Sequence, residues 1–109
     1  MKALRIGIDG AMQAVEITGQ NIDQQNDSIH KMLGGYFECV RLSPDAVMLV
    51  DDEGLIKGLP ENPAAMMVAG RPMLVGTALI VGTETAEDGE RFEDCPERYL
   101  FFADKIAKL

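Results

Sequence analysis

The sequence predicts an α+β domain whose mainly antiparallel sheet has about five to six strands, with one short internal helix and a C-terminal helix. Several runs alternate apolar and polar residues with a period of two, which is typical of half-buried strands. Two other segments carry apolar residues at helical spacing, and the order of elements lacks the regular strand–helix alternation of a parallel sheet. With 109 residues, 47% of them hydrophobic, the chain has the size of a single domain, residues 1–109.

A β-hairpin and a helix are predicted in the first third of the chain. Residues 2–9 and 12–17 both alternate, and Asp9-Gly10 between them is typical of a turn. Apolar residues from Ile22 to Leu33 then fall at helical spacing. The Gly34-Gly35 pair that follows tolerates the positive φ found at helix ends, so we expect the helix to end there.

Three further strands are predicted in the middle of the chain. Residues 36–42 are rich in aromatic and β-branched side chains. Residues 46–50 are continuously apolar, as in a central strand that is covered on both faces. Residues 55–59 return as a short strand, after which Asn62 would cap a helical turn that begins at Pro63.

The last third is predicted to hold a strand, a loop and a helix. Residues 73–81 are the most hydrophobic segment and predict a central strand. Residues 83–94 are polar and acidic, which is typical of a mobile surface loop. Residues 96–108 carry an apolar stripe that includes Tyr99 and Ile106, so we expect a helix that packs on the sheet.

Charge and cysteine content limit the classes of partner and the compartment. Eighteen acidic and ten basic residues give a formal net charge of −8, which repels a nucleic-acid backbone, so we expect no direct nucleic-acid binding. This acidity serves solubility or, alternatively, imitates nucleic acid for a basic partner. We recognise no membrane span and no signal peptide. Cys39 and Cys95 lack the number and spacing of a disulfide framework or zinc site, which favours the reduced cytoplasm.

The sequence contains no recognisable catalytic or metal-binding motif. His30, the single histidine, lies on the polar side of the predicted helix, and we interpret it as a solvated surface residue. The run from Asp51 to Gly54 looks like the start of a calcium loop, but the twelfth residue is Asn62 where a glutamate is needed. Residues 76–82 lack the lysine of a phosphate-binding loop. We therefore predict no catalytic residue, no metal, no cofactor and no enzyme activity.

Four polar residues between the later apolar segments are candidates for ligand binding. Lys57 and Arg71 would supply positive charge to an anion, while Asn62 and the Thr77 hydroxyl would supply directional hydrogen bonds to a base or ribose. The alternative is that the four are unrelated surface residues. Convergence of Lys57 and Arg71 on one cavity would favour the ligand hypothesis.

Three ordered motifs resemble a known family. They are a helix that ends in Gly-Gly-Tyr at residues 33–38, an acidic turn that leads to Gly-Leu-Pro-x-Asn at residues 52–62, and a Gly-Thr strand at residues 76–82. In these motifs the chain resembles a family of small bacteriophage and mobile-element proteins of unknown function. The resemblance implies an accessory protein made in the cytoplasm of a bacterial host, and it implies no reaction and no site residues.

Two functional hypotheses follow from the resemblance and from the lack of a catalytic motif. The first is a counter-defence protein that sequesters a host nucleotide-derived immune signal without cleaving it, in a pocket that a homo-oligomer would build between subunits. The alternative is an acidic protein inhibitor that covers the basic face of a host defence or restriction enzyme. A third hypothesis, a hydrolase that uses paired carboxylates, lacks a pair fixed by spacing.

Overall fold

The structure is a computed structural model that describes residues 1–103. Within this range it contains six strands and three helices. In chain order they are β1 (Lys2–Ile6), β2 (Met12–Glu16), α1 (Ile22–Leu33), β3 (Phe37–Ser43), β4 (Ala46–Asp51), α2 (Pro63–Ala69), β5 (Ala78–Ala86), β6 (Gly89–Glu93) and α3 (Glu97–Leu100).

All six strands belong to one antiparallel sheet, which confirms the predicted fold class. The strand order is β2-β1-β5-β4-β3, and β6 pairs with the second half of β5. Ile80 of β5 lies between Leu4 of β1 and Met48 of β4. The central position of β5 explains why residues 78–81 are apolar on both faces.

Helices cover the two faces of the sheet. On one face Leu4, Met48 and Ile80 form a core with Ala65 of α2, and α3 packs at its margin. On the other face Leu49 and its neighbours pack with Ile29 and Leu33 of α1, at positions i and i+4 of one apolar stripe. Residues 1–103 therefore form a three-layer α/β/α arrangement, in which α1 is the one helix of this range on its side of the sheet.

The first hairpin and α1 are confirmed. Lys2 of β1 pairs with Glu16 of β2. Asn21 caps α1, because its Oδ1 accepts from the backbone N of Gln24 at 2.9 Å. Gly34 ends the helix with a φ of 93°, the left-handed conformation that its sequence predicts.

The predicted strand over residues 55–59 is wrong. Residues 52–58 form consecutive turns, closed by four backbone hydrogen bonds that include Lys57 N to Glu53 O at 2.9 Å. The first turn is initiated by Asp51, whose Oδ1 accepts from Glu53 N at 2.9 Å. This aspartate-initiated turn competes with strand pairing, because it satisfies the backbone locally.

The predicted strand over residues 73–81 begins five residues late, at Ala78. Residues 73–77 lie before β5 and outside it. Within them, Val75 forms an isolated β-bridge with Glu61. Met73 and Gly76 have φ values of 68° and 76°, which no strand residue adopts. Two left-handed residues within this apolar segment therefore delay the strand.

The predicted mobile loop over residues 83–94 is also wrong. The second half of β5 and all of β6 form a regular hairpin there, with Glu84 opposite Arg91 and Ala86 opposite Gly89. Thr83 and Thr85 supply β-branched side chains to one face. Gly89, with a φ of 119°, closes the turn that joins the strands.

The C-terminal helix is confirmed in its first part. Helix α3 is followed by turns as far as Ala103, and Tyr99 and Ala103 pack against the core while Phe102 remains exposed. Residues 104–109, with the predicted continuation through Ile106, lie outside the described residues. Over residues 1–103, no helix combines the length and apolarity required for a membrane span.

Candidate functional site

Asn62, the first predicted ligand residue, joins three segments of the fold. Its side chain is fully buried, and its Nδ2 donates to the carbonyls of Ile6 at 3.0 Å and Gly76 at 2.8 Å. Its Oδ1 accepts from Ala65 N at 3.1 Å and so caps α2, as the sequence predicts. All its donors and its acceptor are engaged, so a ligand would have to displace one of these bonds.

Lys57, the second predicted residue, is paired with a buried carboxylate. Its Nζ lies 2.7 Å from Asp51 Oδ2 and also donates to the carbonyl of Gly34 at 3.2 Å. The Asp51 side chain is only 2% exposed. Burial raises the pKa of Asp51, but the hydrogen bonds from Lys57 and from Glu53 N outweigh burial, and the pKa lies below its ordinary value. Lys57 therefore neutralises a charge of the fold itself.

Arg71 and Thr77, the other two predicted residues, are less constrained. Arg71 follows the Gly70 cap of α2 and is exposed, and Thr77 is half-buried directly before β5. Neither side chain has a hydrogen-bond partner among residues 1–103. Lys57 thus donates to the carbonyl of Gly34 at the end of α1, whereas Asn62 accepts from Ala65 N at the start of α2. Convergence of the four on one anion stays a prediction.

A different group of residues lines a groove between the start of α1 and β6, which we call the α1–β6 groove. Its volume is about 460 Å³, which lies in the range of small-molecule sites. It is lined by Gln20, Asn21, Ile22, Gln25, Asn26, Phe37, Glu90, Arg91 and Phe92.

Aromatic and aliphatic side chains form the apolar part of this groove. The ring centroids of Phe37 and Phe92 lie 6.1 Å apart with an interplanar angle of 47°, and both side chains are half-buried. Ile22 on the first turn of α1 remains largely exposed. Two half-buried rings that line one groove suit contact with a flat, apolar ligand surface.

Side-chain amides form the polar part of the groove. Asn21 uses its Oδ1 to cap α1, which leaves its Nδ2 without a partner in the described chain. Gln25 and Asn26 are half-buried, and their side chains have no hydrogen-bond partner within residues 1–103. Gln25 and Asn26 each offer donors and an acceptor, and Asn21 offers the donors of its Nδ2, so the set can match the hydrogen-bonding edge of a heterocycle.

The two charged residues of the groove are already paired. The Glu90 carboxylate forms a short ion pair with Arg41, and Arg91 Nε lies 3.4 Å from Glu84 Oε1. The Arg91 pair is exposed on both sides, so it contributes little and can exchange for another anion. Arg91 pairs opposite Glu84 and Phe92 opposite Thr83, so the Arg91 side chain lies on the other face of the strand from the Phe92 ring. Arg41, which is half-exposed and paired with Glu90, is the cation on the same face as the two rings.

Comparison with known proteins gives one match. A family described as a domain of unknown function, DUF3846, matches residues 1–105. The chain belongs to this family. No curated protein and no solved structure matches the chain significantly. The family assignment agrees with the resemblance to proteins of unknown function.

The histidine and one of the two cysteines of this DUF3846 protein are packed against apolar or aromatic neighbours, whereas Cys39 is exposed. Burial raises the pKa of the Cys95 thiol to about 11 and also raises that of Cys39, so both thiols are protonated at neutral pH. His30 is half-buried against the rings of Tyr36 and Phe37, with centroids 5.0 and 5.7 Å away, which corrects its interpretation as a solvated residue. No cluster of three or more metal-ligating side chains occurs among residues 1–103.

Sequence reasoning missed the α1–β6 groove of this DUF3846 protein. Five of the seven residues from 20 to 26 are glutamine or asparagine, and this enrichment was the available signal. Phe92 lies in the segment that was predicted to be a loop, so nothing placed its ring beside Phe37. The groove depends on the pairing of β5 with β6. The acidic composition of residues 83–94 predicts a loop there, so this pairing was not expected from the sequence.

Proposed function

We propose that this protein works by binding rather than by catalysis, and that it holds a small nucleotide-type ligand in the α1–β6 groove. The observation that carries the proposal is the combination of two half-buried phenyl rings with unpaired amides in one groove. Aromatic faces stack on nucleobases, and carboxamides hydrogen-bond to their edges. The base of the ligand is therefore the part that this groove recognises.

A phosphate or ribose would extend toward Arg41, the cation on the same face of the sheet as the two rings. The ion pair of Arg41 with Glu90 is half-exposed on both sides and weak enough to open, and a phosphate offers the guanidinium two acceptors in place of a carboxylate. We place the ligand in this groove rather than at Lys57, because Lys57 already neutralises Asp51. Moving Lys57 to a ligand would leave a buried carboxylate unpaired.

The biological role that fits a binding protein of this kind is sequestration. We propose a phage-encoded accessory protein that withdraws a host nucleotide-derived immune signal from its receptor without cleaving it. The resemblance of the Gly-Gly-Tyr and Gly-Leu-Pro-x-Asn motifs to phage proteins supports this role. Sequestration needs a preformed groove and no reacting group, so the packed histidine and the protonated thiols are compatible with it.

The proposal is tested by calorimetry with cyclic dinucleotides and ADP-ribose derivatives. We expect one member of this panel to bind, and mass spectrometry to recover it unmodified after the protein is denatured by heat. Phe92→Ala should lower its affinity about tenfold or more, because base–aromatic stacking contributes about 1–3 kcal/mol.

A matched amide pair provides the control. Gln25→Ala removes a half-buried amide of the groove, whereas Gln13→Ala removes an exposed amide of β2. Affinity should fall for the first variant and remain unchanged for the second. Absence of binding across the panel, equal losses for both variants, or recovery of a cleaved ligand would contradict the proposal.

A second candidate function, an acidic inhibitor of a basic protein, is favoured by the charges on the β5–β6 hairpin. The pKa of Glu93 is raised, first by burial and then by the carboxylates of Glu84, Asp94 and Asp45. Glu84 is paired with Arg91 and Asp45 with Arg98, so within residues 1–103 the uncompensated negative charge here belongs to Glu93 and Asp94 at the end of β6. A basic surface of a defence enzyme would relieve the repulsion among these carboxylates.

Binding of oligolysine at low and high salt tests this second candidate. We expect measurable affinity at low salt that falls steeply as salt rises, because exposed charges are screened. Glu84→Gln with Glu93→Gln should weaken binding, while the charge-matched control Asp23→Asn with Asp27→Asn on α1 should retain it. Equal weakening by both pairs would show that net charge alone attracts the probe.

A further inference from the structure

The first hairpin shows which backbone groups of β2 bond to β1. Ile17 N donates to Met1 O at 2.8 Å, directly beyond one end of the strand pair. Gly7 N donates to Ala11 O at 2.9 Å, directly beyond the other end. Hydrogen-bonded and non-hydrogen-bonded residue pairs alternate along an antiparallel ladder, so the odd-numbered residues of β2 are the ones that bond to β1.

The even-numbered residues of β2 point their backbone groups away from β1. β2 is the outermost strand at this end of the sheet, and no described residue pairs with its outer side. Within residues 1–103, the unpaired row consists of the backbone groups of Met12, Ala14 and Glu16. Such a row of N–H and C=O groups is a template for another strand.

The other edge strands of the described sheet, β3 and β6, carry features that prevent strand pairing. β3 has a register shift between Arg41 and Ser43, and the Arg41 side chain is held by Glu90. β6 carries a charge at three of its five positions. Charged side chains and irregular pairing are the usual protection of an edge. β2 lacks both, because its pairing with β1 is regular throughout and Glu16 is its one charged residue.

The charge of the first hairpin does not oppose association, although the chain is acidic. Within residues 1–17, Lys2 and Arg5 balance Asp9 and Glu16, so the net charge of −8 belongs to the residues that follow. Exposed charges further apart than about 8–10 Å are largely screened at ordinary ionic strength. A second copy that approaches through β2 therefore meets a hairpin whose side chains carry no net charge.

We propose that two copies of this chain pair through β2, in antiparallel orientation, and form one continuous sheet. A twofold axis through Ala14 places Met12 of each copy opposite Glu16 of the other. This register brings outward-pointing residues opposite each other, so each pair exchanges two backbone hydrogen bonds. β2 shares no residue with the α1–β6 groove, so this inference is independent of ligand binding.

The side chains of β2 allow this register. Ala14 is exposed and has only a methyl group, so two copies of it fit opposite each other at the axis. Gln13 lies opposite Val15 of the second copy, and no like charges meet across the pair. A shift by one residue would oppose residues that already bond to β1 and would bring side chains of opposite faces together. The register is therefore specified by the strand itself.

Sedimentation velocity of the full chain over a range of concentrations tests the association. We expect a reversible equilibrium between monomer and dimer. Ala14→Lys should weaken the dimer about fivefold or more, because it sets two like charges opposite each other at the axis. Thr85→Lys is the matched control, since it adds the same charge at an exposed position of β5 and should leave the dimer unchanged.

A mixture of isotope-labelled and unlabelled chains tests the register by NMR. Cα atoms of a non-hydrogen-bonded antiparallel pair lie about 4.5 Å apart, which brings their α protons within reach of a nuclear Overhauser contact. We expect such a contact between Gln13 of one chain and Val15 of the other. Exchange of the Ala14 amide proton with solvent should slow as the protein concentration rises, because this amide bonds only to the second copy.

Several results would overturn the inference. A chain that sediments as a monomer at every concentration, or equal effects of Ala14→Lys and Thr85→Lys, would contradict pairing through β2. Contacts between chains that are confined to β3 or β6 would place the dimer at another edge. A monomer whose β2 amides shift when an extended peptide of unrelated sequence is added would assign this edge to another protein instead of a second copy.

Discussion

Asn62→Ala is expected to lower the free energy of unfolding by at least about 3 kcal/mol. The substitution removes the cap of α2, which contributes about 1 kcal/mol, and leaves two buried carbonyls without a donor at about 1–3 kcal/mol each. Those carbonyls belong to Ile6 and Gly76. The substitution therefore removes the hydrogen bonds that connect β1, the start of α2 and the residues before β5 through one side chain. Urea denaturation followed by circular dichroism measures the effect.

The control for this prediction is Asn21→Ala. Asn21 also caps a helix through its Oδ1, but it is exposed and satisfies no buried carbonyl. We expect a loss of about 1 kcal/mol, the ordinary contribution of an N-cap. Similar losses for the two variants would show that Asn62 acts only as a cap, and would restore its amide as a candidate for ligand binding.

Lys57→Met is expected to lower the free energy of unfolding by about 2–3 kcal/mol at neutral pH. The substitution keeps the aliphatic stem but leaves the Asp51 carboxylate, which is 2% exposed, without its cation. We expect less than the full cost of a broken buried pair, because Lys57 itself is partly exposed. Lys31→Met is the control, since Lys31 is exposed and unpaired among the described residues, and it should change stability by less than about 0.5 kcal/mol.

The same variant has a predicted pH dependence. The pKa of Asp51 is lowered in the folded protein, so its pairing stabilises the fold above the ordinary pKa of an unfolded aspartate. This contribution is lost as the pH falls through the lower pKa of the folded state. The stability difference between the unmodified chain and Lys57→Met should therefore be largest near neutral pH and shrink in acid. A difference that stays constant would contradict the assigned pair.

Local signals predicted the fold where backbone chemistry and apolar pattern agreed. The Asp9-Gly10 turn, the Gly34 helix end and the Asn62-Pro63 helix start are each determined by neighbouring residues, and the structure confirms all three. Apolar pattern alone misled at residues 55–59, because the hydrogen bond that Asp51 Oδ1 accepts from Glu53 N initiates a turn there. Acidic composition misled at residues 83–94, where pairing with β5 stabilises a strand that its own residues do not predict.

The candidate site was less predictable, because it is built from distant segments. The positive charge of Lys57 predicts a ligand contact, but in the structure this charge pairs with the Asp51 carboxylate. Asp51 is buried at the end of β4, and its burial depends on tertiary packing that the sequence does not show. The α1–β6 groove joins residues 20–26 to residues 90–92, and no local pattern reports a contact across that separation. The sequence favours the hypothesis of a binding protein without a reacting group, and the groove in which we propose the ligand lies forms only when β6 pairs with β5.

The most direct test of binding without chemistry is a proton NMR spectrum of the protein with the nucleotide that calorimetry selects. We predict nuclear Overhauser contacts between the base protons and the rings of Phe37 and Phe92, and ligand resonances that stay unchanged over a day. New resonances of a converted product, or contacts to Lys57 and Arg71 in place of the two rings, would contradict this account of the protein.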